Sequence, residues 1–114
     1  MLSTVSRDIP EADWKLFRQL QPLALERFCE RVLSGIRDAS SVSGQTAHQR
    51  YLQVFKIVRY KDKDLAALFD NPRRSTARLQ LSLIHSHGLL TPDEVKRFSS
   101  ETQQMISALA DTRT

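Results

Sequence analysis

The residues with the clearest chemical potential in this sequence are the arginines and lysines of its middle third. Residues 47–79 contain eight basic and three acidic side chains, whereas the segments on either side are nearly neutral. A local excess of positive charge favours binding to an anionic partner, with nucleic acid or another polyanion as the leading candidate. The residues that we assign to this binding segment are Lys56, Arg59, Lys61, Lys63, Arg73, Arg74, Ser75, Thr76 and Arg78.

Two of these arginines follow a signal for the start of a helix. Asn71 is a favoured capping residue and Pro72 suits a first helical position. Arg73 and Arg74 would then lie in the first turn, where the helix dipole disfavours each exposed cation by roughly 0.3–1 kcal/mol. A phosphate or carboxylate bound at that end would reverse the penalty. Alternatively, the arginines form a solvated basic face or pair with Asp70 and other acids of the fold.

The reactive residue types form no catalytic or metal-binding pattern. Cys29 lies on the apolar face of a predicted helix, which favours a small core residue over a nucleophile. His85 and His87 would share a face, and so a metal ion, only on a strand; on a helix they lie near its C-terminal carbonyl groups. The sequence also lacks a glycine-rich phosphate loop, paired cysteines and an HExxH pattern. We therefore expect a protein that is not an enzyme and uses no cofactor or metal.

The elements that must position the basic residues are predicted to be helices. A chain of 114 residues, 40% of them hydrophobic, has room for one domain around a single core. Its three glycines and four prolines provide few tight turns. We expect residues 1–114 to form one all-α domain, a small bundle of five or six helices. The serine-rich stretch at residues 40–45 is predicted to be its flexible connection.

Periodicity and capping signals place the boundaries of these helices. Pro22 should break or kink the helix at Gln21 before a second helix starts, since proline cannot donate a helical hydrogen bond. Residues 78–83 alternate like a strand, but we favour a helix because no hairpin turn lies nearby. Gly88 is a natural helix stop. The predicted segments are 9–20 with Asp8 as cap, a second helix with its apolar face at 25–36, then 47–60, a short helix from Asp62 or Asp64 to 69, 71–88, and a final helix from 91.

The final helix begins with the strongest capping signal of the chain, Thr91-Pro92-Asp93-Glu94. Its apolar residues recur at steps of three and four, the spacing of a coiled-coil seam. One partner helix would cover this seam, either within the chain or in a second copy. The alternative function is therefore a protein–protein or self-association module, a homo-oligomer through the C-terminal helix that binds no nucleic acid. The seam consists of Val95, Phe98, Thr102, Met105 and Leu109.

Residues 64–90 resemble the helix-turn-helix of winged-helix transcription regulators. Leu65 and Ala66 match its first helix, and Arg74 and Thr76 match the start of its recognition helix. The end of that helix is matched by Ile84, Gly88 and Leu89. The resemblance implies that the site residues from 73 to 78 would face DNA, namely Arg73, Arg74, Ser75, Thr76 and Arg78. Gln80, Pro72 and the helix signal after Leu90 depart from the family pattern.

Nothing in the sequence predicts a membrane association. The longest apolar run, from Leu65 to Phe69, is far shorter than the roughly 20 residues of a membrane-spanning helix. Residues 1–10 lack the apolar region of a secretory signal. The single cysteine cannot form an internal disulfide bond and fits a reducing compartment. We expect a cytoplasmic protein.

Overall fold

The computed structural model describes residues 9–112, and side chains as far as residue 108. Within this range the protein has five α-helices and no strand, which confirms the predicted all-α class. Asp8, which is predicted to cap the first helix, and the side chain of Leu109, which is predicted to belong to the seam, lie outside the described residues. The helices are α1 (Glu11–Ser40), α2 (Ala47–Phe69), α3 (Ala77–Ser86), α4 (Pro92–Lys96) and α5 (Ser100–Thr112), with a 3₁₀ turn at Arg74–Thr76.

The first helix is continuous through its proline. The predicted break at Gln21 is wrong, because α1 spans 30 residues with Pro22 inside it. Pro22 removes one hydrogen-bond donor and is itself exposed. Leu20 and Ala24, on either side of it, are buried at 3% and 0% exposure, so the helix packs against the core on both sides of the proline. Tertiary contacts therefore outweigh the local penalty of the proline.

The second helix begins at a capping box that follows the serine-rich connection. The Thr46 hydroxyl accepts from the Gln49 backbone N–H at 3.0 Å, and the Gln49 side chain accepts from the Thr46 N–H at 2.9 Å. From there α2 runs for 23 residues to Phe69. The separate short helix predicted from Asp62 or Asp64 is wrong, since both residues are interior to α2.

The two long helices form an antiparallel hairpin that extends beyond a compact end. The structure measures 64 × 27 × 25 Å. Of residues 29–67, only Ala39 is buried. The buried core lies at the other end, where the first half of α1 packs with the end of α2 and with α3 and α5. It comprises Ile9, Leu16, Phe17, Leu20, Ala24, Phe28, Leu68, Phe69, Ala77, Leu81, Ile84, Leu89, Phe98 and Ile106.

Helix α3 starts later than predicted and stops where expected. Asn71 does not cap a helix but lies in the left-handed region at φ 50°. The chain then forms the 3₁₀ turn, and α3 begins at Ala77. At its end, Gly88 at φ +71° donates to the His85 carbonyl at 2.9 Å, and Leu89 donates to the Ile84 carbonyl at 3.2 Å. This Schellman pattern confirms the predicted glycine stop.

The final helix is divided in two by a carboxylate from α1. The predicted cap at its start is confirmed, since the Thr91 hydroxyl accepts from the Glu94 N–H at 3.1 Å. However, α4 ends at Lys96 and α5 begins at Ser100. Asp13, 3% exposed, accepts from the Ser99 N–H at 2.9 Å and from the Ser99 and Thr102 hydroxyls at 2.6 Å each. These bonds satisfy the donors at the start of α5 and so favour the break.

Two arginines of α1 hold the turn between α3 and α4. Arg27 forms a bidentate pair with Glu94, at 2.7 and 2.9 Å, and donates to the Leu89 carbonyl at 2.8 Å. Arg31 donates to the carbonyl oxygens of His87 at 2.6 Å and Gly88 at 2.7 Å. The Arg27 hydrogen bonds hold the pKa of Glu94 down at about 2, and those of Glu94 raise the pKa of Arg27.

We expect Glu94→Gln to destabilise the protein by about 1–3 kcal/mol at neutral pH, since it removes a charged acceptor of a bidentate pair. A carboxylate with a lowered pKa stabilises the fold above its unfolded pKa, near 4.3, and loses that effect as the pH falls through the folded value. The difference between wild type and variant should therefore shrink between pH about 5 and 2. Urea unfolding of both proteins at three pH values measures this difference in the free energy of unfolding. Asp93→Asn, the exposed neighbouring acid, is the control, and an equal loss in both variants would contradict the role of the pair.

We expect Asp13→Ala to destabilise the fold by about 2–4 kcal/mol, because it leaves the Ser99 N–H and the buried Thr102 hydroxyl without their acceptor. Glu101→Ala is the matched control: it removes an acid from the same end of α5, but one whose side chain is 69% exposed. Its cost should stay below about 1 kcal/mol. Thermal or denaturant unfolding compares the two variants, and similar losses would show that Asp13 acts only through the helix dipole.

Candidate functional site

The basic residues assigned to α2 divide between two sides of the helix. Lys56, Arg59 and Lys63 are exposed and recur at steps of three and four, so they form one stripe on its outer surface. Within the described residues, none of the three forms an ion pair. Lys61 lies on the side that faces α1, with its Nζ 3.9 Å from the Asp64 carboxylate. The α2 part of the predicted site is thus a three-residue stripe.

The residues assigned to the start of α3 contact other parts of the chain. Arg74 donates to the Ile9 carbonyl at 3.1 Å and to the Glu11 carboxylate at 2.8 Å. Arg78 lies 3.9 Å from the Glu101 carboxylate. These contacts match the alternative in which the arginines pair with acids of the fold. Because of these contacts, the two guanidinium groups have fewer N–H donors available for an external anion.

The other residues of this segment form a local turn. With its amide oxygen towards Arg73, Asn71 accepts from that guanidinium at 3.1 and 2.7 Å. The Thr76 hydroxyl accepts from the Arg73 N–H at 3.3 Å, and Ser75 is exposed. Arg73 precedes and Arg74 begins the 3₁₀ turn that leads directly into α3, so both lie before the first α-helical turn and not in it as predicted. Of the assigned arginines only Arg78 lies in the first turn.

The predicted seam of the final helix is covered within the chain. Phe98 and Thr102 are 3% and 2% exposed. Met105 packs against the same core, and the Ser82 hydroxyl of α3 lies 3.2 Å from its sulfur. Thr102, the one polar seam residue, is buried because its hydroxyl bonds Asp13. The described part of the seam therefore offers little surface to a second copy.

Exposed apolar side chains lie together on the hairpin. A groove with a cavity of about 310 Å³ runs between α1 and α2. On the α2 side it continues through Tyr51 and Phe55, which are 64% and 54% exposed, and on the α1 side through Leu25. We call this surface the hairpin groove; its lining residues are Phe28, Cys29, Val32, Leu33, Val58, Lys61, Asp62 and Leu65.

The hairpin groove is bordered by charges of opposite sign. Glu26 and Glu30 are exposed on the outer edge of α1, seven and three residues before Leu33, and we call them the acidic rim. Arg59 and Lys63 are exposed on the outer edge of α2, four and eight residues after Phe55, and we call them the basic rim. Within the described residues, none of the four rim side chains forms an ion pair.

A second cavity of about 330 Å³ lies on the opposite side of the hairpin, where it meets the turn after α3. Its cationic residues are Arg31 and Lys61, and His87 also lines it. The Arg31 guanidinium is already bonded to two carbonyl groups of that turn. This cavity therefore belongs mainly to the junction between the hairpin and the compact end.

Other candidate chemistry finds no site in the described part of the chain. No group of three or more histidine, cysteine or acidic side chains is placed to hold a metal ion there. Cys29 is half-buried and packs against the core. His85 and His87 lie at the end of a helix, in the arrangement that the sequence analysis favoured. Among residues 9–112, no helix combines the length and apolar character needed to cross a membrane.

Comparison with known proteins assigns the chain to no family. No protein-family model matches the sequence, and no curated protein or solved structure matches it.

Proposed function

We propose that this protein is a non-enzymatic interaction module that binds another polypeptide through the hairpin groove. The observation that supports this function is the distribution of exposed apolar side chains. Of the ten large hydrophobic residues that are exposed in the described part of the chain, five lie around the hairpin groove. Single exposed apolar residues are ordinary, but a contiguous group of them marks an interaction surface.

The size of this surface is sufficient for association. From their exposed fractions, five side chains around the groove present roughly 500 Å², which at about 25 cal/mol per Å² corresponds to about 12 kcal/mol when fully buried. Association costs an estimated 4–15 kcal/mol in lost freedom of motion. A polypeptide that covers the groove can therefore bind with useful affinity. The five residues are Leu25, Leu33, Tyr51, Phe55 and Val58.

Photo-crosslinking tests the proposed surface. We expect benzoylphenylalanine at position 55 to form covalent adducts with a polypeptide when the protein is irradiated in the cells that produce it. The same group at position 79 should form few, although Leu79 is equally exposed at 61%. Gel mobility and mass spectrometry of the purified adducts measure the difference. Absence of adducts from position 55, or equal yields from both positions, would refute this function.

A second candidate function, binding of nucleic acid or another polyanion, is supported by the stripe of Lys56, Arg59 and Lys63. Its three cations have no ion pair within the described residues and lie on one face of a 23-residue helix. Tyr60, 58% exposed, lies next to them and could stack on a base. In this proposal the α2 stripe contributes more than the α3 start, because Arg74 and Arg78 have acidic partners in the chain.

Replacing the stripe, Lys56→Gln, Arg59→Gln and Lys63→Gln together, should weaken binding to duplex DNA and lower the salt slope by about 2–3, one unit for each lost phosphate contact. The matched control removes the same charge at the other predicted position, with Arg73→Gln, Arg74→Gln and Arg78→Gln. Fluorescence anisotropy at several salt concentrations compares the two. Unchanged binding by the first variant would exclude the stripe. A larger loss in the control would instead favour the recognition-helix site that the winged-helix resemblance implies.

A further inference from the structure

We infer that the polypeptide in the hairpin groove is a second copy of this chain, with α1 of each copy against α2 of the other in a four-helix bundle. This inference rests on the proposed function and names its partner. Two helices can shield only one stripe of each other, whereas four helices enclose a common core. A second hairpin would therefore cover the apolar side chains that the first leaves exposed.

The two rims beside the groove are opposite in charge. Glu26 and Glu30 precede Leu33 on the α1 edge, with Arg37 one turn beyond it, and Arg59 and Lys63 follow Phe55 on the α2 edge, with Asp62 on the groove wall beside them. When α1 of one copy lies against α2 of the other, the acidic rim meets the basic rim on both sides of the bundle. When α1 lies against α1, acids face acids, and that arrangement is disfavoured. An unrelated partner would need the same two-sided pattern, which a second copy provides by symmetry.

The positions of the acidic and basic rims along the hairpin axis also agree with this arrangement. Leu33 and Val58 line one groove, and the Arg50 guanidinium donates to the Ser40 carbonyl at 2.8 Å. This antiparallel register places residues 26–30 of α1 level with residues 61–65 of α2. A two-fold axis parallel to the hairpin leaves the position of every residue along the hairpin unchanged, so the same residues of the two copies lie at the same height. Glu30 of one copy then lies between Arg59 and Lys63 of the other, one helical turn apart on α2.

The exposed area matches a dimer of ordinary size. The five apolar side chains around the groove are between 36% and 64% exposed. They supply roughly 500 Å² of the about 800 Å² that each partner buries in a standard interface, and the charged rims supply a polar border for the remainder. The interface would have the usual apolar centre and polar edge.

Charge exchange between the rims tests the inference. Light scattering on a size-exclusion column should show a dimer for the wild type, with its dissociation constant from dilution. Variant A, Glu26→Lys with Glu30→Lys, and variant B, Arg59→Glu with Lys63→Glu, should each dimerise at least tenfold more weakly, because like charges then meet. An equimolar mixture of A and B should form a heterodimer, since both pairs of rims are again opposite in sign. Native mass spectrometry identifies the mixed species.

The controls change charge on exposed positions outside the two rims, Asp38→Lys in one variant and Gln53→Glu in another, and each should dimerise as the wild type does. Circular dichroism confirms that each variant remains helical. Cys29 is a native reporter, because a dimer that covers the groove slows its alkylation in the wild type relative to variant A. A monomeric wild type, or a mixture of A and B that forms no heterodimer, overturns the second-copy inference. The proposed function would survive that result if position 55 still crosslinks to a different polypeptide.

Discussion

The length of α1 is the constraint on which the rest of the structure depends. A helix of 30 residues is about 45 Å long, and its buried residues are concentrated between Leu16 and Phe28. Its last turns extend beyond the compact end, where only α2 is present to pack against them. A pair of helices buries one narrow stripe of each, so Leu33 and Phe55 remain exposed although they lie beside a well-formed interface. The exposed groove is therefore a consequence of the architecture.

The arginine contacts with the turn after α3 determine how the hairpin leaves the compact end. Arg27 and Arg31 lie one helical turn apart on α1 and together bond three carbonyl groups and the Glu94 carboxylate. The carbonyl groups at a helix end need donors, and guanidinium groups provide them with charge of the favourable sign. The Glu94 carboxylate also accepts from the Thr91 N–H at the start of α4. Arg27 therefore links α1 both to α4, through Glu94, and to the turn after α3, through the Leu89 carbonyl. Loss of these bonds would loosen the turn and would change the orientation of the hairpin relative to the compact end.

Local signals in the sequence predicted the parts of the fold that depend on neighbouring residues. The Thr91 box and the Gly88 stop involve partners within five positions, and both are present. The predictions were wrong where contacts with residues distant in the sequence determine whether a helix continues or ends. Pro22 is tolerated because the core packs on both sides of it, and α5 is separate because a carboxylate 86 residues away accepts from its first donors.

The candidate site could be predicted only in part for the same reason. Arg74 meets an acid 63 residues away, and no local pattern reveals that pair. The apolar spacing of Phe55 and Val58 was visible in the sequence, but spacing alone does not show whether a partner covers it.

The two candidate functions share residues and are therefore coupled. Arg59 and Lys63 belong both to the stripe that would contact phosphate groups and to the basic rim that would meet a second copy. A polyanion bound to them would remove the positive partner of Glu26 and Glu30, so binding and dimerisation would weaken each other by equal free energies. Salt acts differently on the two, because screening weakens contacts with phosphate groups steeply, whereas the apolar centre of a bundle hardly responds. Rising salt would thus weaken polyanion binding more than the dimer, and the apolar centre of the groove would remain the main source of its affinity.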